Sequence, residues 1–260
     1  MWVVAVVAAV VLVVGVVVTY AVTRTTSQPP GPAPTTTSPE PQETPPTPDA
    51  PVGGYKIEAG DGGTDVAVDG RTPIGYDQEC SGAVSAATNY YVAVLEGLYQ
   101  DRHTSESFSE LLKQINGGLD GWDTAPTGPI SGLVTEFEAI RAEAEQLGQE
   151  FLGGEYHPEW GVFRVEGCAE GASATVDVAG YFEMPTADPG HSYQDPKRVR
   201  VSWFEGDWRL ISLEDLATDE NPLLGILPSR PLAPVPAADR GSILAAAGSE
   251  WMEYTNAPQD

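Results

Sequence analysis

Positive charge is scarce in this sequence. Thirteen Lys and Arg stand against 38 Asp and Glu, a formal net charge of −25 in 260 residues. So acidic a surface repels phosphate backbones, which argues against direct nucleic-acid binding. Metal- and redox-capable side chains are few as well: three histidines and two cysteines. Cys80 and Cys168 form no C-x-x-C pair and no metal-ligand spacing. The chain has no H-E-x-x-H, no G-x-S-x-G, no phosphate-cradling G-x-x-x-x-G-K and no dinucleotide fingerprint. Asp61, Asp65 and Asp69 do not have the spacing of a calcium-binding EF-hand loop. His103, His157 and His191 stand in polar, turn-like contexts, which reads as surface placement. No catalytic residue, metal ligand or cofactor site is assigned on these grounds, and the chain is expected to be no enzyme.

Charge of either sign is absent from the first 23 residues. Trp2 to Val22 is almost wholly Val, Ala, Leu and Gly. Twenty-one residues in a helix span roughly 31 Å, the thickness of a hydrocarbon core. Trp2 and Tyr20 stand where interfacial aromatic anchors belong. The run is too long for a cleaved signal peptide, and no Lys or Arg precedes it. Residues 1–23 are therefore read as a single transmembrane anchor.

Residues 24–51 hold ten prolines and seven threonines, a composition that cannot bury apolar surface. As polyproline II these 28 residues reach about 85 Å. The expected organisation is an anchor over 1–23, a Pro/Thr-rich stalk over 24–53, and one folded domain over 54–260. Arg24 alone, by the positive-inside rule, would place that domain in the cytoplasm. The stalk and the cysteine pair argue for the extracytoplasmic side. In an oxidising compartment two lone cysteines most simply form one disulfide, here Cys80 to Cys168. Closing a loop of about 89 residues would stabilise the fold by roughly 4 to 5 kcal/mol.

Within the domain, a Gly-rich lead-in with one or two short extended pieces precedes a helix. Val84, Ala87, Tyr91, Val94, Leu95 and Leu98 recur at helical spacing, and Asp77 or Ser81 is the expected cap. Ser107-Phe-Ser-Glu110 reads as the capping box of a second helix ended by Gly117. Ser131 is the expected cap of a third, with a stripe of Leu133, Val134, Phe137, Ile140, Ala144 and Leu147. The pattern then alternates. Strands are expected at Val162–Val165, Ala174–Phe182, Val199–Phe204 and Trp208–Leu213, with a tight hairpin at Glu205-Gly206-Asp207. Lys197-Arg198-Val199-Arg200 reads as the solvent face of a strand. A last short helix near Asp239–Tyr254 would present Ile243, Leu244, Ala247 and Trp251 on one face. Helices first and an antiparallel sheet second make the fold class α+β.

This layout, ending in the W-F-E-G-D-W-R-L hairpin, resembles the nuclear transport factor two-like cone fold. The segment TPIGYDQECSGAVSAATNYYVAV, Thr72 to Val94, is similar to the start of the extracytoplasmic domain in a family of actinobacterial mobile-element proteins. There a short anchor, a Pro/Thr linker, a P-x-G-Y…G-A-V-A-A-A-x-N-Y helix and a terminal W-containing hairpin recur in this order. The resemblance covers the layout of about residues 72–255 and is close at Pro73–Tyr91 and Val199–Leu213. Cys80 departs from it, since a polar residue is expected there, so the disulfide belongs to this protein and not to the family.

The resemblance implies the envelope scaffold subunit of a conjugative type IV secretion system. Its partners would be other secretion-apparatus subunits, the membrane through the N-terminal helix, and a further copy of itself. Exposed apolar residues near Trp251 and Met252 are the contact candidates. Two alternatives stand beside it: a cell-surface small-molecule binding or sensing domain, and an isomerase- or dehydratase-type enzyme with an Asp, Glu or His projecting into the cone.

Overall fold

The computed structural model describes residues 54–117, 129–147, 153–184, 191–223, 229–231 and 234–259. The anchor and stalk expected over 1–53 lie outside the described residues. Among the described residues no helix is long and apolar enough to cross a membrane.

The lead-in carries a two-stranded hairpin, β1 (Asp65–Val66) with β2 (Pro73–Ile74). Helix α1 (Cys80–Tyr99) follows, then α2 (Ser105–Asn116) and α3 (Pro129–Leu147). Four long strands come next: β3 (Glu155–Ala169), β4 (Ser173–Met184), β5 (His191–Phe204) and β6 (Asp207–Asp215). A short β7 (Ser229–Pro231), α4 (Ala237–Ala247) and β8 (Trp251–Glu253) complete the chain. The main sheet is antiparallel in the order β6-β5-β4-β3-β8, with β7 on the edge of β5. Register shifts in β3 between His157 and Val162, and in the β5–β6 pairing at Arg200/Val201, where Ile211 of β6 is the extra residue, accompany its curvature. The fold is α+β with a curved antiparallel sheet, as expected.

Helix α1 is enclosed on almost its whole circumference. Sixteen of its residues are buried, from Cys80 to Leu98. Its small residues make this possible. A Cβ on Gly97 would come within 2.3 Å of Phe108 on α2, so glycine sets the close approach of those helices. The sheet buries both faces. Val176, Val178, Val199 and Val201 meet the helices, while Ala179 and Tyr181 meet Trp160, Leu223, Val235 and Ile243 on the other side. The second layer comes from the chain after β6 and from α4.

Several boundaries differ from expectation. The α2 cap is Thr104, whose side chain accepts from Ser107 N at 3.2 Å while Ser107 Oγ accepts from Thr104 N at 3.0 Å. The capping box thus starts three residues earlier than Ser107. No side chain caps α1 at Glu79. Asp77 instead accepts from Glu79 N, and its own carbonyl accepts from Trp208 Nε1 at 2.7 Å. Helix α3 begins at Pro129, so Ser131 lies in its first turn. In the β5–β6 hairpin the turn is the two residues Glu205 (φ 50°) and Gly206 (φ 84°), and Asp207 already pairs with Phe204. Positive φ at both positions is the primed turn that matches strand twist.

The larger correction is at the C-terminus. The last helix ends at Ala247, and Gly248 at φ 108° leaves it. Trp251, Met252 and Glu253 then pair as a strand with Arg164, Phe163 and Val162. The available edge of β3 provides hydrogen bonds that override helical periodicity, and Trp251 gains burial in the outer layer.

Candidate functional site

Aromatic side chains crowd the space between the helices and the sheet. Tyr90, Tyr91, Phe108, Phe137, Phe163 and Trp208 are buried there almost completely. Three of the buried phenols there, those of Tyr90, Tyr91 and Tyr156, each find a hydrogen-bond partner. Tyr90 donates to Trp208 O at 2.9 Å, and Tyr91 donates to Asp195 Oδ2 at 2.6 Å. Tyr156 donates to Asp195 O at 3.1 Å. Burial, then the charge of Asp195, pushes the Tyr91 and Tyr156 phenols well up, so both remain neutral donors. Asp195 on β5 thus projects toward the helices, as an enzyme of this shape would require, but two tyrosines hold it. Lys197 Nζ sits 3.0 Å from its Oδ1 and also pairs with Asp215.

The open space lies on the other side of α1. A cavity of about 560 Å³ runs along Asn89, Ala93, Glu96, Gly97 and Gln100, positions that share one helical face. Arg71 from the β1–β2 loop, Arg102 and His103 from the α1–α2 link, and Tyr156, Pro158 and Glu159 at the start of β3 form its walls. Glu96 is the central charge. Its side chain is 18% exposed, with Arg102 Nη1 at 3.3 Å and Arg71 Nη2 at 4.0 Å. Burial raises its carboxyl above the ordinary range, against the pull of Arg71. Burial lowers His103, favouring the neutral imidazole. Its Nδ1 lies 3.3 Å from Ser107 Oγ. That hydroxyl is the α2 capping group, bonded to Thr104 N and Thr104 O, so the pair is a helix cap and not a nucleophile with its base. The groove is lined by charged and polar side chains.

On the outer face of the sheet, Asp177 is fully buried and bonded by two guanidiniums. Arg164 Nη2 reaches its Oδ2 at 2.6 Å and Arg198 Nε its Oδ1 at 2.8 Å. Trp251 lies under Arg164, with Cζ 4.8 Å from the ring centroid. Arg198 is therefore not simply a solvated residue. Arg200, half exposed beside Glu214, fits the expected solvent face.

Cys80 and Cys168 form the expected disulfide, with Cα atoms 6.0 Å apart. Trp251 is 5% exposed in the outer core, and Met252 is partly buried against the inner one. The exposed large apolar residues among those described are instead Val66, Val68 and Phe204. His157 departs furthest from its reading as a free surface residue. It stands on β3, and Glu159 and Glu183 bond its ring nitrogens. The signal was H-P-E: at a two-residue offset the carboxylate shares a strand face, where a search at helical offsets misses it. Among the described residues no group of His, Cys, Asp and Glu is arranged to hold a metal ion. No protein-family model, curated protein or solved structure matches this chain.

Proposed function

We propose that this chain is a non-enzymatic, membrane-anchored scaffold component of a conjugative, type IV secretion-like DNA-transfer apparatus. A charge-free apolar segment over 1–23 anchors it, and a Pro/Thr-rich stalk holds its α+β domain outside the cytoplasm. The domain is a cone-like module of the nuclear transport factor two-like kind, and it assembles with other subunits and with itself. The observation that carries this reading is the aromatic packing of the interior. Where a cone-shaped enzyme would bind substrate, this chain places Tyr90, Tyr91, Phe163 and Trp208. The disulfide adds support for an oxidising compartment.

The test is capture of partners by the full-length chain, crosslinked in its native membrane and identified by mass spectrometry. Co-purification of a secretion ATPase, a polytopic channel subunit or a coupling protein is the expected result. Recovery of the chain alone would overturn the reading. Removal of residues 24–51 should abolish DNA transfer while the domain stays folded.

The groove around Glu96 favours a second reading, in which the domain binds a small polar molecule at the cell surface. Glu96→Gln would then weaken binding of that molecule and leave partner capture unchanged.

A further inference from the structure

His157 sits where β3 is irregular, at the register shift that precedes Val162. Both of its ring nitrogens face carboxylates. Nδ1 is 2.9 Å from Glu159 Oε1 on β3, and Nε2 is 3.0 Å from Glu183 Oε2 on β4. Glu155 Oε2 lies 3.9 Å from Nε2. A neutral imidazole has one N–H and one lone pair, so it would turn that lone pair toward a carboxylate oxygen. Only the imidazolium donates on both sides. The ring also lies flat on Trp160, with centroids 3.9 Å apart and planes 7° from parallel, a geometry that favours a cation.

The groups facing this ring come from three elements. Glu155 and Glu159 lie on its own strand, Glu183 on β4, and Glu96 on α1 is near enough to interact electrostatically. All four are acidic. Tyr181 of β4 is its backbone partner in the ladder.

We propose that His157 is a protonation-dependent latch, fastening the irregular start of β3 to β4 as imidazolium and releasing it when the proton is lost. The released segment includes Pro158 and Glu159, which form a wall of the groove over α1. Without the central cation the surrounding carboxylates repel one another, and the two hydrogen bonds across the clamp cannot both be made. The latch stands whether or not the scaffold reading does.

The direction of the titration agrees. Burial works against the charged ring, but the Glu159 hydrogen bond and the charges of Glu159, Glu183 and Glu155 outweigh it and raise His157 above the ordinary 6.5. A folded-state value above the unfolded one means that the contribution is complete below about pH 6.5. It is lost as pH rises through the folded value.

The test uses the full-length chain with ¹³C,¹⁵N-labelled histidine. Three histidines give three resonances, assigned with His103→Gln and His191→Gln. The expected result is that the His157 resonance carries protons on both nitrogens at pH 6.5 and titrates above that value. Glu183→Gln should move its midpoint down. The amides of residues 155–157 and 159–161, corrected for intrinsic exchange, should exchange at least tenfold faster above the midpoint than below it. A midpoint at or below 6.5, a midpoint insensitive to Glu183→Gln, or pH-independent protection of those amides would each overturn the latch.

Discussion

Asp207 opens β6 and holds the lead-in to the sheet: its carboxylate accepts the backbone N–H of Gly75 and of Tyr76, each at 3.0 Å. It also accepts from Trp208 N at 2.9 Å. One buried side chain thereby satisfies three backbone donors that the loop before α1 and the hairpin turn would leave unpaired. Tyr76, immobilised by it, packs edge-on against Tyr90 with centroids 5.8 Å apart. The contacts of Asp207 with Gly75 and Tyr76 join residues 132 and 131 apart in sequence.

Asp207→Ala strips the carboxylate from those donors. Hydrogen bonds to a charged group contribute about 1.5 to 3 kcal/mol each and are not additive, so a loss of roughly 3 kcal/mol is expected. Urea denaturation of the variant should show a lower midpoint with an unchanged slope. Asp207→Asn, which keeps one acceptor, should lose less.

The disulfide joins the first turn of α1 to the last turn-facing part of β3 across 88 residues of sequence. The chain-entropy argument gives about 4 to 5 kcal/mol for a loop of this length. Cys80→Ala/Cys168→Ala should lower stability by that order in equilibrium unfolding. A loss under about 1 kcal/mol would mean that the reduced unfolded chain is already constrained.

Asp177 and Arg200 separate buried from exposed charge. Asp177→Ala leaves Arg164 and Arg198 facing each other without their shared anion, and breaking a buried pair costs about 3 to 5 kcal/mol. Arg200→Ala removes a half-exposed partner of Glu214 and should change stability by under about 0.5 kcal/mol. Thermal unfolding of the two variants side by side checks the contrast.

Two glycines give a comparable contrast. A Cβ on Gly161 would stand 1.8 Å from the carbonyl oxygen of Ala179, a backbone atom that cannot rotate away. Gly161→Ala should yield insoluble or unfolded protein. Gly132 on α3 has open space around it, so Gly132→Ala should stabilise by about 0.5 to 1 kcal/mol through helix propensity.

How much was legible follows from the range of each interaction. The stripe of α1, the alternation in β4 and the Glu205-Gly206 turn are local patterns, and each was readable. Trp251 shows the limit. Its spacing from Ile243, Leu244 and Ala247 fits a helix, yet it lies on a strand because β3 has a free edge to pair. His157 shows another. Its contact with Glu183 crosses two strands, and no spacing along one chain segment reports that. The groove is further still from the sequence, since Arg71, Glu96, Arg102 and Glu159 meet only after the hairpin, α1 and β3 have packed.

By itself the sequence determined the acidic character, the apolar and Pro/Thr-rich segments, the order of helices before strands and the availability of one disulfide. Composition, periodicity and turn preference act within a few residues, so they survive without a fold. Tertiary structure alone decided which charges are buried, which edge recruits Trp251, and where α1 leaves a groove. It also decided that three carboxylates converge on one imidazole. Those outcomes depend on which surfaces lose water together, and that is set only when distant segments pack.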